Sequence, residues 1–201
     1  MAWELIERQS DTRLVVVVGA SAGGLAEIIK IVDALPPWFE ATMVIANHRT
    51  PERANLLLDI LASRTSIQVL QPEDEECLEC TAIYIGDSRD TVRVVGGSFS
   101  VKEDVSALSR LRRIDDLFVS VAQSAGDRAV GVILSGMLSD GAAGLRAIHE
   151  AGGQCLVQHP HQAAFDSMPE NAIASVPADF VGSTDEIAAR IVEIAHQRRN
   201  R

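Results

Sequence analysis

Three places in the chain set a reactive residue type where a turn of backbone would expose it. The first is Gly19-Ala-Ser21-Ala-Gly23-Gly24, which fits the pattern G-x-S-x-G. Small neighbours permit a tight turn, and a helix starting just beyond it offers free backbone N–H groups to a developing negative charge, so Ser21 is a candidate nucleophile. The second is His48, at the end of Met43-Val-Ile-Ala-Asn47; imidazole is the usual general base for a serine hydroxyl. The third is Leu134-Ser-Gly-Met137-Leu-Ser-Asp140-Gly141-Ala-Ala-Gly144. Asp140 either caps the helix that follows it or orients the imidazole of His48 and stabilises its charged form. The Gly136-Met137 backbone could supply a second oxyanion N–H.

The glycine-rich turn has competing readings. It could cradle a dinucleotide pyrophosphate at the helix N-terminus, but the second strand would then end in an acidic residue for the ribose, and Asn47-His48 stand there. A nucleoside triphosphate loop would carry Gly-Lys-Ser/Thr, which is missing from the turn. From the turn alone the nucleophile and nucleotide readings stand level, ahead of a plain structural turn, which would need no serine. His48, at the tip of the neighbouring strand, breaks the tie. The chain order is then Ser, His, acid, whereas α/β-hydrolases place the acid before the histidine.

The elements that must position these residues can be read from pattern. Val15–Val18 is a β-branched run without alternation, as in a strand of a parallel sheet covered on both faces. A helix runs from Gly24 to Leu35, with Leu25, Ile28, Ile29 and Val32 at helical spacing and Pro36-Pro37 stopping it. Ala41–Ala46 is the second strand. Pro51 opens a helix through Leu56, Leu57, Ile60 and Leu61, and Ile67–Leu70 is a third strand. Ala82–Ile85 and Thr91–Val95, joined by Gly86-Asp-Ser-Arg-Asp90, read as an antiparallel hairpin, and Gly96 to Asp104 as loop. A helix over Leu111–Ala125, a strand at Ala129–Leu134, a helix over Gly141–Ala151, a strand at Gln154–Gln158 and a closing helix over Thr184–His196, with Thr184 as N-cap, complete the pattern. This is a single-domain α/β fold: doubly wound, mostly parallel, with an antiparallel hairpin and helices on both faces. Strands one and two of such a unit lie side by side, which would bring His48 to Ser21.

With 201 residues, 47% of them hydrophobic, the chain is long enough for one substantial core. A net charge of −10 argues against nucleic acid as a partner, since phosphate binding needs clustered Lys and Arg. The longest uncharged stretch, Leu14 to Ala26, is too short for membrane insertion, and residues 1–13 lack the apolar core of a signal peptide. Cys77, Cys80 and Cys155 make an odd set, fitting a reducing cytoplasm. Cys77-Leu-Glu-Cys80 has CxxC spacing, but no second ligand pair follows, and its flanks read as a loop entering a strand. His159 and His161 are too few for a metal site and read as a surface turn. Neither metal nor cofactor is expected. Arg198-Arg199-Asn200-Arg201 reads as a basic tail on a helix C-terminus.

Taken jointly, Val18-Gly-Ala-Ser-Ala-Gly-Gly24, Asn47-His48, Ile133-Leu-Ser-Gly-Met-Leu-Ser-Asp-Gly-Ala-Ala-Gly144, Gly152-Gly153 and Met168-Pro169 resemble the catalytic domain of the chemotaxis protein-glutamate methylesterases, the CheB type. The resemblance covers about Leu14 to Ile194. It implies demethylation of glutamate methyl esters on chemoreceptor cytoplasmic helices with release of methanol, and deamidation of receptor glutamines by related members. Carried over by position, Ser21 is the nucleophile, His48 the base, Asp140 the orienting acid, and the N–H groups of Ala22 and Met137 the oxyanion donors. Three departures stand out: Ala22 replaces the family's Thr, Ser135-Gly-Met-Leu138 replaces Thr-Gly-Met-Gly, and Ile85-Gly-Asp-Ser-Arg-Asp90 stands where the family has Ala-Pro-x-x-x-His. The resemblance divides the chain into an extension over 1–13, a catalytic domain over 14–197 and a tail over 198–201, without the family's receiver domain. A receiver or methyltransferase partner would act in trans or from the same longer chain. The alternatives are an esterase or deamidase acting on a protein of another signalling pathway, and a weakly catalytic binding module.

Overall fold

The computed structural model describes residues 14–48, 54–104, 106, 109 and 111–199. Seven strands form one parallel sheet: β1 (Leu14–Ala20), β2 (Ala41–Asn47), β3 (Gln68–Leu70), β4 (Ala82–Ile85), β7 (Ala129–Ile133), β8 (Gln154–Gln158) and β9 (Phe180–Gly182). Their order is β3-β4-β2-β1-β7-β8-β9. Every residue of β1, β2, β4 and β7 is buried, which is why these segments read as unbroken apolar runs rather than alternating ones. Side chains nevertheless alternate between two cores. Leu14, Val16 and Val18 face helices α1 (Gly24–Ala34), α2 (Ala54–Ala62) and α6 (Thr184–Arg199). Val15 and Val17 face α3 (Arg113–Ala125), α4 (Ala142–Glu150) and α5 (Ser167–Ser175).

The expected fold class holds, and one pairing within it is corrected. Ala82–Ile85 does not form a hairpin with Thr91–Val95; it is β4, parallel to β2 and β3. The hairpin is β5 (Asp90–Val95) with β6 (Ser98–Glu103), a separate two-stranded sheet. Its turn is Gly96-Gly97, both with positive φ (59° and 84°), the backbone that a two-residue hairpin turn needs and that glycine adopts without strain. The segment read as loop therefore holds a strand. This hairpin lies on α3, where the hydroxyls of Ser120 and Ser124 accept from Val94 N and Gly97 N. The sequence pattern does not announce α5 or the short edge strand β9. The closing helix extends to Arg199, so Arg198 and Arg199 lie in its last turn. Its N-cap is Ser183, not Thr184. Ser183 Oγ accepts from Glu186 N at 3.2 Å while Glu186 Oε2 accepts from Ser183 N at 2.8 Å, a capping box. Thr184 instead donates its hydroxyl to Glu27 across the core. Pro51, read as a helix opener, lies outside the described residues, as do residues 1–13.

The chain turns back on itself at β1: the first half extends the sheet through β2 toward β3, the second through β7 toward β9. In open α/β sheets a ligand crevice forms at the carboxyl ends of the strands where the order reverses. Ser21, His48 and Asp140 all follow strands at that end.

Candidate active site

Ser21 sits immediately after β1, in a turn that closes on α1. Gly23 caps α1 with φ 73°, and a Cβ there would stand 2.8 Å from Ala164 Cβ and 2.9 Å from Ser135 Oγ. Gly24 packs so close to Ala20 that a Cβ would fall 2.5 Å from the Ala20 methyl. The positive φ of this turn falls on a glycine, and Ser21 itself is not in the left-handed region. Ser21 N donates to Ser135 O at 3.0 Å, tying the turn to the loop after β7.

The neighbouring strand brings in the histidine. Ala20 and Asn47 are paired in the β1–β2 register, and His48 N donates to Ala20 O at 3.3 Å. His48 Nδ1 then lies 3.4 Å from Ser21 Oγ, and His48 Nε2 lies 2.7 Å from Asp140 Oδ2. A carboxylate only accepts, so the ring proton sits on Nε2 and the lone pair of Nδ1 faces the serine hydroxyl. Relative to the Ser-His-Asp proteases the two ring nitrogens exchange places. The Ser–His contact is longer than a formed hydrogen bond and within the looseness usual before substrate arrives.

Asp140 is 6% exposed, and a buried carboxylate needs donors. Besides His48, it accepts Ile114 N at 3.0 Å on Oδ2 and Asp115 N at 2.9 Å on Oδ1. These are N–H groups of the first turn of α3, so the helix dipole also favours the negative charge. Asp140 does cap a helix, but α3 rather than the helix that follows it. That following helix, α4, is capped by Asp115, whose Oδ1 accepts Gly141 N at 2.9 Å and Gly144 N at 2.7 Å. Burial first, and the charge of Asp140 next among the forces acting in that direction, push the Asp115 carboxyl above the ordinary 3.8.

The loop after β7 supplies the remaining wall. A Cβ on Gly136 would lie 3.0 Å from Ser21 Cβ and 2.3 Å from Met168 Sδ, so this backbone approaches the serine as only glycine permits. Gly136 N donates to Phe165 O, and Leu138 N to Ser167 Oγ. Between them the N–H of Met137, like that of Ala22, takes no acceptor among the described residues. Both belong to turns that flank Ser21. Leu138 has φ 71°, in the left-handed region that costs a branched side chain roughly 1–2 kcal/mol. It is 64% exposed beside half-exposed Met137.

Two supporting residues were not singled out from sequence. Buried Ser135 donates its hydroxyl to Ala22 O at 2.9 Å and accepts Phe165 N at 3.0 Å, joining the serine turn to the loop before α5. Gln158, at the end of β8, accepts Ser135 N at 2.7 Å. The only hint was their place at strand ends. Asn47, the residue before His48, lines a pocket with Gly86, Asp87, Asp90 and Arg113, so the segment that departs from the family motif meets the end of β2.

The remaining candidates lie elsewhere. Cys77 and Cys80 are free and exposed, with Cys77 bridged to Ser98 at the hairpin edge. His159 caps a 3-10 turn, its Nδ1 accepting His161 N at 3.3 Å. Among the described residues, His149, Cys155 and Asp179 bring possible metal-ligand atoms within 4.8 Å of one another, at the amino ends of β8 and β9 rather than near Ser21. Of the three only Cys155 is buried: burial pushes its thiol up to about 12 and Sγ donates to Leu145 O at 3.4 Å, while exposed Asp179 accepts Cys155 N at 2.7 Å. No described helix is long and apolar enough to cross a membrane.

Comparison with known proteins converges on one family. The family model described as CheB methylesterase matches residues 16–191. A Yersinia pestis protein named protein-glutamate methylesterase/protein-glutamine glutaminase is 36% identical over 88% of this chain and 52% of its own length. A Leptospira interrogans protein named provisionally for the same two activities is 32% identical over 89% of this chain and 93% of its own. The crystal structure of the Thermotoga maritima CheB methylesterase catalytic domain superposes with a TM-score of 0.82 at 25% identity, covering 90% of this chain and 98% of that one.

Proposed function

This chain belongs to the CheB methylesterase family, and from that premise we propose that Ser21, His48 and Asp140 are the catalytic triad of a hydrolase that demethylates glutamate methyl esters on chemoreceptors. The observation that carries it is the continuous line from Ser21 Oγ through both nitrogens of His48 to Asp140. His48 Nδ1 takes the hydroxyl proton as Ser21 Oγ bonds to the side-chain carbonyl carbon. The N–H groups of Ala22 and Met137 hold the oxyanion, each contributing on the order of 3 kcal/mol to lowering the barrier. Collapse breaks the bond to methoxide, which leaves as methanol with the proton from Nδ1. Water then attacks the acyl-serine, giving its proton to Nδ1, and the new glutamate departs as the proton returns to Oγ. Asp140 stays ionised throughout and stabilises the imidazolium. With a glutamine in place of the ester the same steps release ammonia, the second activity in the relatives' names. The chemistry uses no metal or cofactor, and the substrate helices would be met in the cytoplasm.

A second substrate reading, a methyl ester on another signalling protein, is favoured by one feature: the segment Gly86 to Asp90, which shares a pocket with Asn47 next to His48, departs from the family's motif. Methanol release by the wild-type chain from membranes carrying methylated receptors separates the two. Release from receptors at a rate well above that from small free esters is the expected result. Turnover of small esters with none from receptors would overturn the receptor assignment.

A further inference from the structure

The carboxylate that holds His48 is itself held by a second one. Asp140 Oδ2 must stay on His48 Nε2, yet the residue after it, Gly141, has φ 96° and offers no side chain to fix the turn. What fixes that turn is α3. Its first-turn N–H groups, from Ile114 and Asp115, hold the Asp140 carboxylate, while the Asp115 carboxylate holds the Gly141 and Gly144 backbone. The ring is closed: Asp140 accepts Asp115 N, and Asp115 accepts the N–H of the residue next to Asp140. Each carboxylate also sits at the positive end of the other's helix, which offsets the repulsion between two adjacent negative groups. α3 and α4 are close enough for this because Gly144 lies against Phe118 and the Asp115 backbone, where a Cβ would stand 2.5 Å from Phe118 Cβ.

We propose that Asp115 is a positioning residue for the hydrolysis, clamping the Gly141–Gly144 turn so that Asp140 keeps His48 aimed at Ser21. This rests on the triad reading above. Asp115 bonds to Asp140, Gly141 and Gly144 rather than to the imidazole, and acts through Asp140.

Both clamping bonds end on one oxygen, Oδ1, which makes the role separable from a general need for charge. Asp115→Asn keeps an acceptor oxygen at that place. Asp115→Ala removes it, and Asp115→Glu keeps the charge but moves the oxygen. The probe is a fluorophosphonate, which bonds covalently to an activated serine and needs no receptor; the readout is the labelling rate of Ser21 in the full chain. Circular dichroism and thermal melting report whether each variant is folded. Labelling should slow roughly 10–100-fold in Asp115→Ala and Asp115→Glu, the scale of an ångström-sized misplacement, and return to within about threefold of wild type in Asp115→Asn. Should the alanine variant fail to fold, the Glu and Asn pair carries the test. Folded Glu or Ala variants labelling at the wild-type rate would overturn the role, as would an Asn variant as slow as they are. A wild type that does not label at all would overturn the triad reading and this role with it.

Discussion

At the scale of single residues, the site turns on which nitrogen of His48 carries a proton. Asp140 fixes it on Nε2 at 2.7 Å. In Asp140→Asn the amide can instead donate to Nε2, which would put the ring proton on Nδ1 and remove the lone pair that Ser21 needs. We expect kcat to fall roughly 10⁴-fold with KM little changed, the size of the tautomer effect in serine proteases. Steady-state kinetics on methylated receptors check this, and a loss under tenfold would contradict the tautomer argument. Leu138 is the second residue with a stated cost. Its φ of 71° suits glycine, and its side chain is mostly in solvent, so little burial offsets the strain. Leu138→Gly should leave stability unchanged or raise it by up to about 1 kcal/mol, since relief of left-handed strain exceeds the added freedom of the unfolded chain. Urea unfolding that shows a loss of 1 kcal/mol or more would mean the leucine makes contacts that its exposure does not suggest.

At the scale of elements, the three strand ends were legible, and the helix contacts that serve them were not. Val15–Val18 and Ala129–Ile133 announce buried parallel strands by composition alone, and G-x-S-x-G announces its turn. Asp140 was ambiguous because a cap partner can be local or remote, and here it lies 26 residues away at Ile114. Asp115 carried no signal beyond being an acid near a helix start. The hairpin error had a legible remedy, since Gly96-Gly97 between alternating runs is itself a turn signal, whereas Ala82–Ile85 has none of the alternation that a half-exposed hairpin strand shows. Helix α5, with Pro169 inside its first turn and Ile173 exposed, lacks the clear apolar stripe by which a helix shows in sequence. The α3–α4 contact gives a prediction at this scale. Gly144→Ala would place a methyl 2.5 Å from Phe118 Cβ and 3.1 Å from Asp115 Cα and O, forcing the two helix starts apart. We expect a destabilisation of about 1–3 kcal/mol by urea unfolding, with a parallel drop in hydrolysis. Unchanged stability and rate would show that the helices have room to spare.

Across the whole molecule, folding energy and catalytic geometry meet in the acidic pair. The Asp115 carboxyl is held above its ordinary 3.8, foremost by burial. The folded state therefore keeps this proton at pH values where the unfolded chain has lost it. The resulting contribution to stability is fully present below 3.8 and is lost as pH rises through the window just above it. Asp115→Asn removes that component, so wild-type stability minus variant stability should fall as pH rises from about 3.8, and then level off. A difference that is flat or rises over that window would contradict the assigned environment of Asp115.

The most direct test of the central claim is methanol release from methylated receptor membranes by Ser21→Ala beside the wild type. The side chain is small and at the surface of a turn held by backbone bonds, so the variant should fold as the wild type does. A loss of at least about 10⁴-fold is expected, in keeping with removal of the nucleophile from other serine hydrolases. Release by a folded Ser21→Ala at a rate near that of wild type would mean that the serine is not the nucleophile and that the line from Ser21 to Asp140 serves some other end.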